Sequence, residues 1–179
     1  MNNLKVHTME TAPTESRPFL ENSIKGFGLI PGLHGVMSES PELLETYQIL
    51  HKKFQETSFD KEELTVVWQT INVEHDCHYC VPAHAAIAKM MDVDESLTLA
   101  LRNRDAMPTA KLQALHDMTL SIVRNRGVVN PDDVSDFYDA GYAPKQLLEI
   151  VLGLAQKVMS NYVNHLADTP LDDRFKPFL

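Results

Sequence analysis

The chain is poor in cysteine, glycine and tryptophan, with two, seven and one of them in 179 residues. Two cysteines cannot staple a small fold, so a hydrophobic core must hold it together. A chain of this length has room for one, burying roughly 70% of the surface exposed when unfolded. Positive charge is also short, with 16 Lys and Arg against 25 Asp and Glu leaving a formal net charge of −9. That excess repels phosphate backbones and acidic lipid surfaces, so neither nucleic acid nor a membrane is expected as a partner. Long apolar runs are missing too, none approaching the ~20 residues of a membrane span. Residues 1–16 carry Glu10 and Glu15 and lack the apolar stretch of a secretory signal. The expected setting is the cytoplasm, where thiols stay reduced.

What is present reads as helix throughout. With 44% hydrophobic and 23% charged residues the chain has the composition of a folded globular protein. Ser40-Pro41-Glu42 reads as an N-cap, a proline at the first helical position and an acidic first turn, with Leu43, Tyr47, Leu50 and Phe54 following at helical spacing. Asp60 with Glu63 reads as a capping box before the apolar face Leu64, Val67, Trp68 and Ile71. A third helix is expected from about Cys77 to Met91, with Pro82 in its first turn. Further starts are expected at Asp94, at Thr109 and at Asn130-Pro131, with Gly127 and Gly141 as stops. The last helix begins at Ala143-Pro144 and is apolar almost all the way round, so the domain or another subunit must cover it. Residues 26–32 read as a loop, and residues 1–17 as an N-terminal arm that need not be ordered. With no strand signal and no repeat, residues 18–179 are expected to form one all-α domain.

Chemistry-bearing residues concentrate in one place. Glu74-His75-Asp76-Cys77-His78-Tyr79-Cys80-Val81-Pro82-Ala83-His84 holds both cysteines, three of the eight histidines and two carboxylates. Thiols three residues apart on a helix lie close enough for a disulfide. At a helix start the unpaired N–H groups and the dipole favour thiolate over thiol. His84, one turn beyond Cys80, is placed to accept the thiol proton. Tyr79, between the thiols, reads either as a hydrogen-bond donor to substrate or as packing.

This C-x-x-C-x-x-x-H arrangement resembles the AhpD-like alkylhydroperoxidase group of the carboxymuconolactone decarboxylase family. The resemblance extends to Phe27-Gly28-Leu29-Ile30-Pro31-Gly32-Leu33 upstream, and to Asp139-Ala140-Gly141-Tyr142 and Asn161-Tyr162-Val163-Asn164-His165 downstream. It covers residues 18–175, and the downstream segments are similar to the peroxidase-related subgroup. It implies an all-α AhpD-like bundle that assembles into a homo-oligomer and uses no cofactor. By position it implies that Cys80 is the thiolate that attacks a hydroperoxide, and that Cys77 resolves the resulting sulfenic acid to a disulfide. A dithiol must then reduce that disulfide, and in the family's best-studied members a lipoamide-bearing protein supplies it. The chain departs from the pattern at one point. The family's relay glutamate stands twelve residues before the first cysteine, where this chain has Thr65. Glu74 is the expected replacement, with Asp76 second. Muconolactone decarboxylation is disfavoured, because decarboxylases of the wider family lack the paired thiols.

Two other uses of the same residues stay open. Cys77 and Cys80 can serve a non-catalytic redox sensor, in which their disulfide changes assembly or partner binding. Alternatively Cys77, Cys80 and His84, with His75 or His78, can ligate a metal, although one short helix wraps poorly around a tetrahedral ion. Asn161 and His165 in the last helix are expected either to approach the site or to form a polar stripe in subunit packing. His34 and His51 are expected at surface or satisfied core positions.

Overall fold

The computed structural model describes residues 4–179. Among the described residues nine α-helices follow in order: α1 (Arg17–Phe27), α2 (Gly32–Met37), α3 (Pro41–Gln55), α4 (Lys61–Glu74), α5 (Cys80–Met90), α6 (Glu95–Asn103), α7 (Ala110–Arg124), α8 (Pro131–Asp139) and α9 (Pro144–Ala167). Short 3-10 segments stand at Thr14–Ser16 and Asp173–Phe178, and no strand occurs among the described residues. Among the described residues no helix is long and apolar enough to cross a membrane.

The expected helix starts form for the expected reasons. Ser40, Asp94, Thr109 and Asn130 each accept a backbone N–H from the first turn of α3, α6, α7 and α8. The Asp60 and Glu63 capping box is complete at the start of α4. Two helices went unread. α1 runs through Phe27 before Gly28 caps it at φ 77°, and α2 begins at Gly32, so the loop between them is only residues 28–31. Of the expected arm, residues 1–3 lie outside the described residues. Beyond them the chain lies against α2: the His7 N–H donates to the Gly35 carbonyl at 3.2 Å, and a Cβ on Gly35 would lie 2.8 Å from the His7 carbonyl oxygen.

α4 is the axis of the fold. Residues 63–72 are all buried, because α5, α6, α7 and α9 pack around it. One apolar core, built on Trp68, Ile71, Leu115, Met118, Phe137 and Ile150, fills the α4, α6, α7, α8 and α9 side. A second, built on Leu20, Leu33, Met37, Leu44, Tyr79 and Phe175, joins α1, α2, α3 and α5 to the C-terminal segment, and both cysteines lie in it.

α9 inverts the expected polarity. Its buried face carries Gln156, Lys157, Ser160, Asn161 and Asn164 after Ile150 and Gly153, whereas Leu148, Val151, Tyr162 and Leu166 are exposed. Gly153 permits its close approach: a Cβ there would lie 2.7 Å and 2.9 Å from the Phe54 ring and 3.0 Å from Val67. Gly153→Ala should therefore push α9 off α3 and α4 and cost about 1–3 kcal/mol by overpacking. Gly26 in α1 has nothing within 4 Å of the same position, and Gly26→Ala should stabilise by about 0.4–1 kcal/mol through lower unfolded-state entropy. Thermal denaturation of the pair checks both signs.

Candidate active site

The turn between α4 and α5 presents the cysteines. α4 ends at Glu74, Asp76 takes a left-handed conformation at φ 51°, and the chain reverses into α5, which starts at Cys80. The helix thus begins three residues later than the expected Cys77, and Cys77 sits in the turn before it. There its sulfur accepts the Cys80 N–H at 3.2 Å, acting as a cap for the new helix. Pro82 falls in the first turn, where its missing N–H costs no intrahelical bond.

A chain of amides locks that turn to α4 and α9. His75 Nδ1 bonds Asn161 Oδ1 at 2.8 Å, and Asn161 Nδ2 donates to Asn72 Oδ1 at 3.0 Å. Asn72 Nδ2 donates to Gln69 Oε1 at 2.9 Å, and Gln69 Nε2 donates to the Val81 carbonyl at 3.0 Å. Each amide both donates and accepts, so no member can flip without leaving a buried group unpaired.

The two sulfurs differ in their surroundings. Burial acts to raise the Cys80 thiol, but a hydrogen bond from Cys77, the charge of Lys157 and the amides of Asn164 and Asn161 outweigh it and lower the thiol to about 6. Asn164 Nδ2 donates to the Cys80 sulfur at 3.2 Å. Cys77 goes the other way: its hydrogen bond to Cys80, burial and the neighbouring thiolate all push it up. At neutral pH the pair is one thiolate, on Cys80, and one thiol, on Cys77.

Lys157 and His84 form the cationic side. Both are buried, and Lys157 Nζ lies 2.8 Å from His84 Nε2. Burial and then Lys157 push the His84 imidazole well below its ordinary value, so it is neutral. Its Nε2 lone pair accepts from the ammonium, which leaves the ring proton on Nδ1, a buried atom with no partner. His84 thus lines the same cavity as Cys80, but its Nε2 is held by Lys157 rather than offered as a free base to the thiol. Burial lowers Lys157, while the charges of Cys80 and Cys77 raise it.

Cys80 opens onto a cavity of about 600 Å³. Phe27, Leu33, Tyr47, Ile87 and Phe175 supply apolar walls, while His34, His51, His84 and Lys157 supply polar atoms. Burial pushes His34 down to about 3, and burial with the Lys157 charge pushes His51 down to about 4, so both rings are neutral. Their orientation is fixed from behind. Trp68 Nε1 donates to Gln156 Oε1 at 2.7 Å, turning Gln156 Nε2 toward His51 Nδ1 at 3.1 Å. The His51 proton is thereby confined to Nε2.

Other expected residues lie elsewhere. Glu74 does not reach His84: its carboxylate is gripped by Arg124 at 2.7 and 2.9 Å, with Arg104 at 3.5 Å, and the Arg124 hydrogen bond holds its carboxyl below the usual range. As the last residue of α4 it projects toward α7 and not toward the cavity, which corrects the relay role expected of it. Asp76 is exposed, and Thr65 donates to the Lys61 carbonyl at 2.8 Å. The Tyr79 hydroxyl donates to Asp172 at 2.5 Å and is not free for substrate. His75 and His78 are turned to Asn161 and to the Thr169 carbonyl. Among the described residues no three His, Cys, Asp or Glu side chains gather to hold a metal ion. Asn161 does arrive at the site, whereas His165 is exposed. No site role is expected of Lys157, Asn164 or His51 from the sequence reading, although a signal exists: Gly153, Lys157, Asn161 and Asn164 recur at helical spacing within an apolar helix.

No protein-family model matches the chain, and no curated protein sequence matches it either. Solved structures do match its fold. One is an alkylhydroperoxidase AhpD core, an uncharacterized peroxidase-related protein from Ralstonia eutropha JMP134, at TM-score 0.84 and 18% identity over 96% of this chain and 92% of that one. Another, an uncharacterized peroxidase-related protein from Silicibacter sp. TM1040, has TM-score 0.82 and 18% identity over 97% and 92%. A third is the debrominase Bmp8, bound to 2,3,4-tribromopyrrole, at TM-score 0.83 and 14% identity over 99% and 96%. At these identities the likeness is one of fold, and the fold is AhpD-like.

Alkylation of Cys80 by iodoacetamide should follow a midpoint near about 6, slowing as the pH falls below it. Lys157→Met removes a cation that favours the thiolate, so the midpoint should rise by about one unit or more. An unmoved midpoint would take Lys157 out of the account. Glu74→Gln should leave it in place.

Proposed function

We propose that this AhpD-like protein is a thiol-dependent peroxidase acting on organic hydroperoxides. The observation that carries the reading is a Cys80 thiol lowered by the charge of buried Lys157 and by the Asn164 amide, lining with Lys157 one apolar-walled cavity. Cys80 attacks the terminal oxygen of the hydroperoxide, the O–O bond breaks, and the alkoxide leaves with a proton from Lys157. Lys157 recovers that proton from the Cys77 thiol. The Cys77 thiolate then attacks the Cys80 sulfenic acid, forming the disulfide, and the departing hydroxide takes a proton from Lys157 and leaves as water. A dithiol returns two electrons and two protons. Apolar walls favour an alkyl or aryl hydroperoxide over hydrogen peroxide. A cytoplasmic setting belongs to the same proposal, since the cycle starts from reduced thiols.

The fold shared with a debrominase and the aromatic walls Phe27, Tyr47 and Phe175 favour a second reading. There the Cys80 thiolate takes halogen from an aromatic ring, the ring carbon takes a proton, and Cys77 displaces halide to give the same disulfide. Homo-oligomer formation is proposed as well. The exposed stripe Leu148, Val151, Tyr162 and Leu166 of α9 supports a second copy as its cover. Leu148→Glu should then lower the sedimenting mass in analytical ultracentrifugation, and an unchanged monomer in both forms rejects it.

The test is multiple-turnover consumption of cumene hydroperoxide with dihydrolipoamide as donor. Cys80→Ser should abolish it, and Cys77→Ser should stop after about one equivalent, the sulfenic acid having no resolving thiol. Wild-type rates in both variants reject the mechanism. A wild type that stops after one equivalent, with dithiol present, is a sensor. Bromide release from 2,3,4-tribromopyrrole without hydroperoxide turnover selects the second reading.

A further inference from the structure

The two sulfurs open onto different cavities. Cys80 lines the large one, while Cys77 lines a second of about 320 Å³ walled by Val73, Val81, Pro82 and Phe178, with Arg104 beside it. The two share no lining residue. The C-terminal 3-10 segment separates them: Arg174 and Phe175 face the large cavity and Phe178 the small one. We propose, resting on the dithiol–disulfide cycle given above, that the small cavity binds the reductant, whose thiolate attacks Cys77. The ligand class is a small dithiol. Asp76, His78 and Arg102 also line it, so a cavity of about 320 Å³ offers a small dithiol both apolar and charged contacts and has no room for the folded surface of a protein.

The chemistry favours the same direction. The incoming thiolate bonds to the Cys77 sulfur and the Cys77–Cys80 bond breaks. Lys157 takes up the proton that the incoming thiol sheds, and the electron pair leaves on Cys80, where Asn164 and the restored Lys157 charge receive it. The second thiol of the reductant, once deprotonated, attacks the reductant sulfur of the mixed disulfide. Cys77 departs as a thiolate and takes up that proton. Two electrons have passed and the reductant is a disulfide. Thiol–disulfide exchange is faster when the leaving sulfur is the better-stabilised thiolate, and here that is Cys80. Attack at Cys80 would instead expel Cys77, whose surroundings oppose its charge. Placing the donor opposite the large cavity also lets reduction proceed while product still occupies that cavity.

Filling each cavity in turn tests this. The disulfide is formed with diamide, so no hydroperoxide activity is required, and its reduction by dihydrolipoamide is followed by acid quench and mass spectrometry. Val81→Phe, in the small cavity, should slow reduction about tenfold by blocking access to the attacked sulfur, while the reduced variant's Cys80 still reacts with iodoacetamide at the wild-type rate. Ile87→Phe, in the large cavity, should do the reverse. Equal effects of the two fillings on reduction, or a larger effect of Ile87→Phe, overturn the proposal. A wild-type measurement stands beside them should a variant fail to fold. Brief exposure of the diamide-oxidised protein to 2-mercaptoethanol, quenching and peptide mapping should place the adduct on Cys77, and an adduct on Cys80 overturns the assignment. A protein that cycles with diamide and dithiol but never with hydroperoxide would reject the peroxidase reading and leave this one intact.

Discussion

Lys157 and Cys80 are both buried, and neither charge is tolerable there alone. An isolated ammonium in a protein interior loses its proton, and an isolated thiolate gains one, because burial penalises whichever form is charged. Within one site each charge offsets part of the other's desolvation, while Lys157 takes a hydrogen bond with His84 and Cys80 takes one from Asn164. The arrangement departs from the expected one, in which a histidine backed by a carboxylate removes the thiol proton. Here the imidazole accepts from the ammonium, and the nearest candidate carboxylate, Glu74, is held by two arginines on another face. A fixed cation stabilises the thiolate, so nucleophile formation needs no separate base.

Supporting that pair shapes the helix that carries it. α9 places polar side chains inward at Gln156, Lys157, Ser160, Asn161 and Asn164, where a helix of its composition would ordinarily place leucines. Every inward polar group then needs a partner: α4 supplies Trp68 for Gln156 and Asn72 for Asn161, and α5 supplies His84 for Lys157 and Cys80 for Asn164. Much of the contact between the two central helices is thus a hydrogen-bonded network, and such networks specify one register because a shifted register would strand their donors. Gly153 marks the level at which α9 comes closest to α3 and α4, one turn before Lys157.

The asymmetry of the cysteines follows from their positions around a turn. Cys80, as the first residue of α5, meets the amides of α9 and the Lys157 charge, whereas Cys77 caps the helix start with its sulfur and retains its proton. Residues three apart in sequence thereby come to line separate cavities, divided by the C-terminal segment whose Phe175 packs edge-on against Tyr79.

Local chemistry was written plainly in the chain. Ser40, Asp60, Asp94, Thr109 and Asn130 stop backbone N–H groups within their own first turns, so helix starts are legible from neighbouring residues alone. The cysteine and histidine cluster was legible for the same reason, since its members lie within eleven positions. α1 and α2 were not, because glycines at 26, 28 and 32 read as a loop, while packing and the residue 4–16 arm hold both segments helical around them. Nor were Lys157 and Asn164, which lie 77 and 84 positions from the sulfur they serve. Which face of α9 turns inward depends on what α4 and the cysteine turn present to it. Periodicity reports that a helix has two faces, but only the tertiary contacts decide that the polar one is buried, because only there does a thiolate stand ready to repay the burial of a charge.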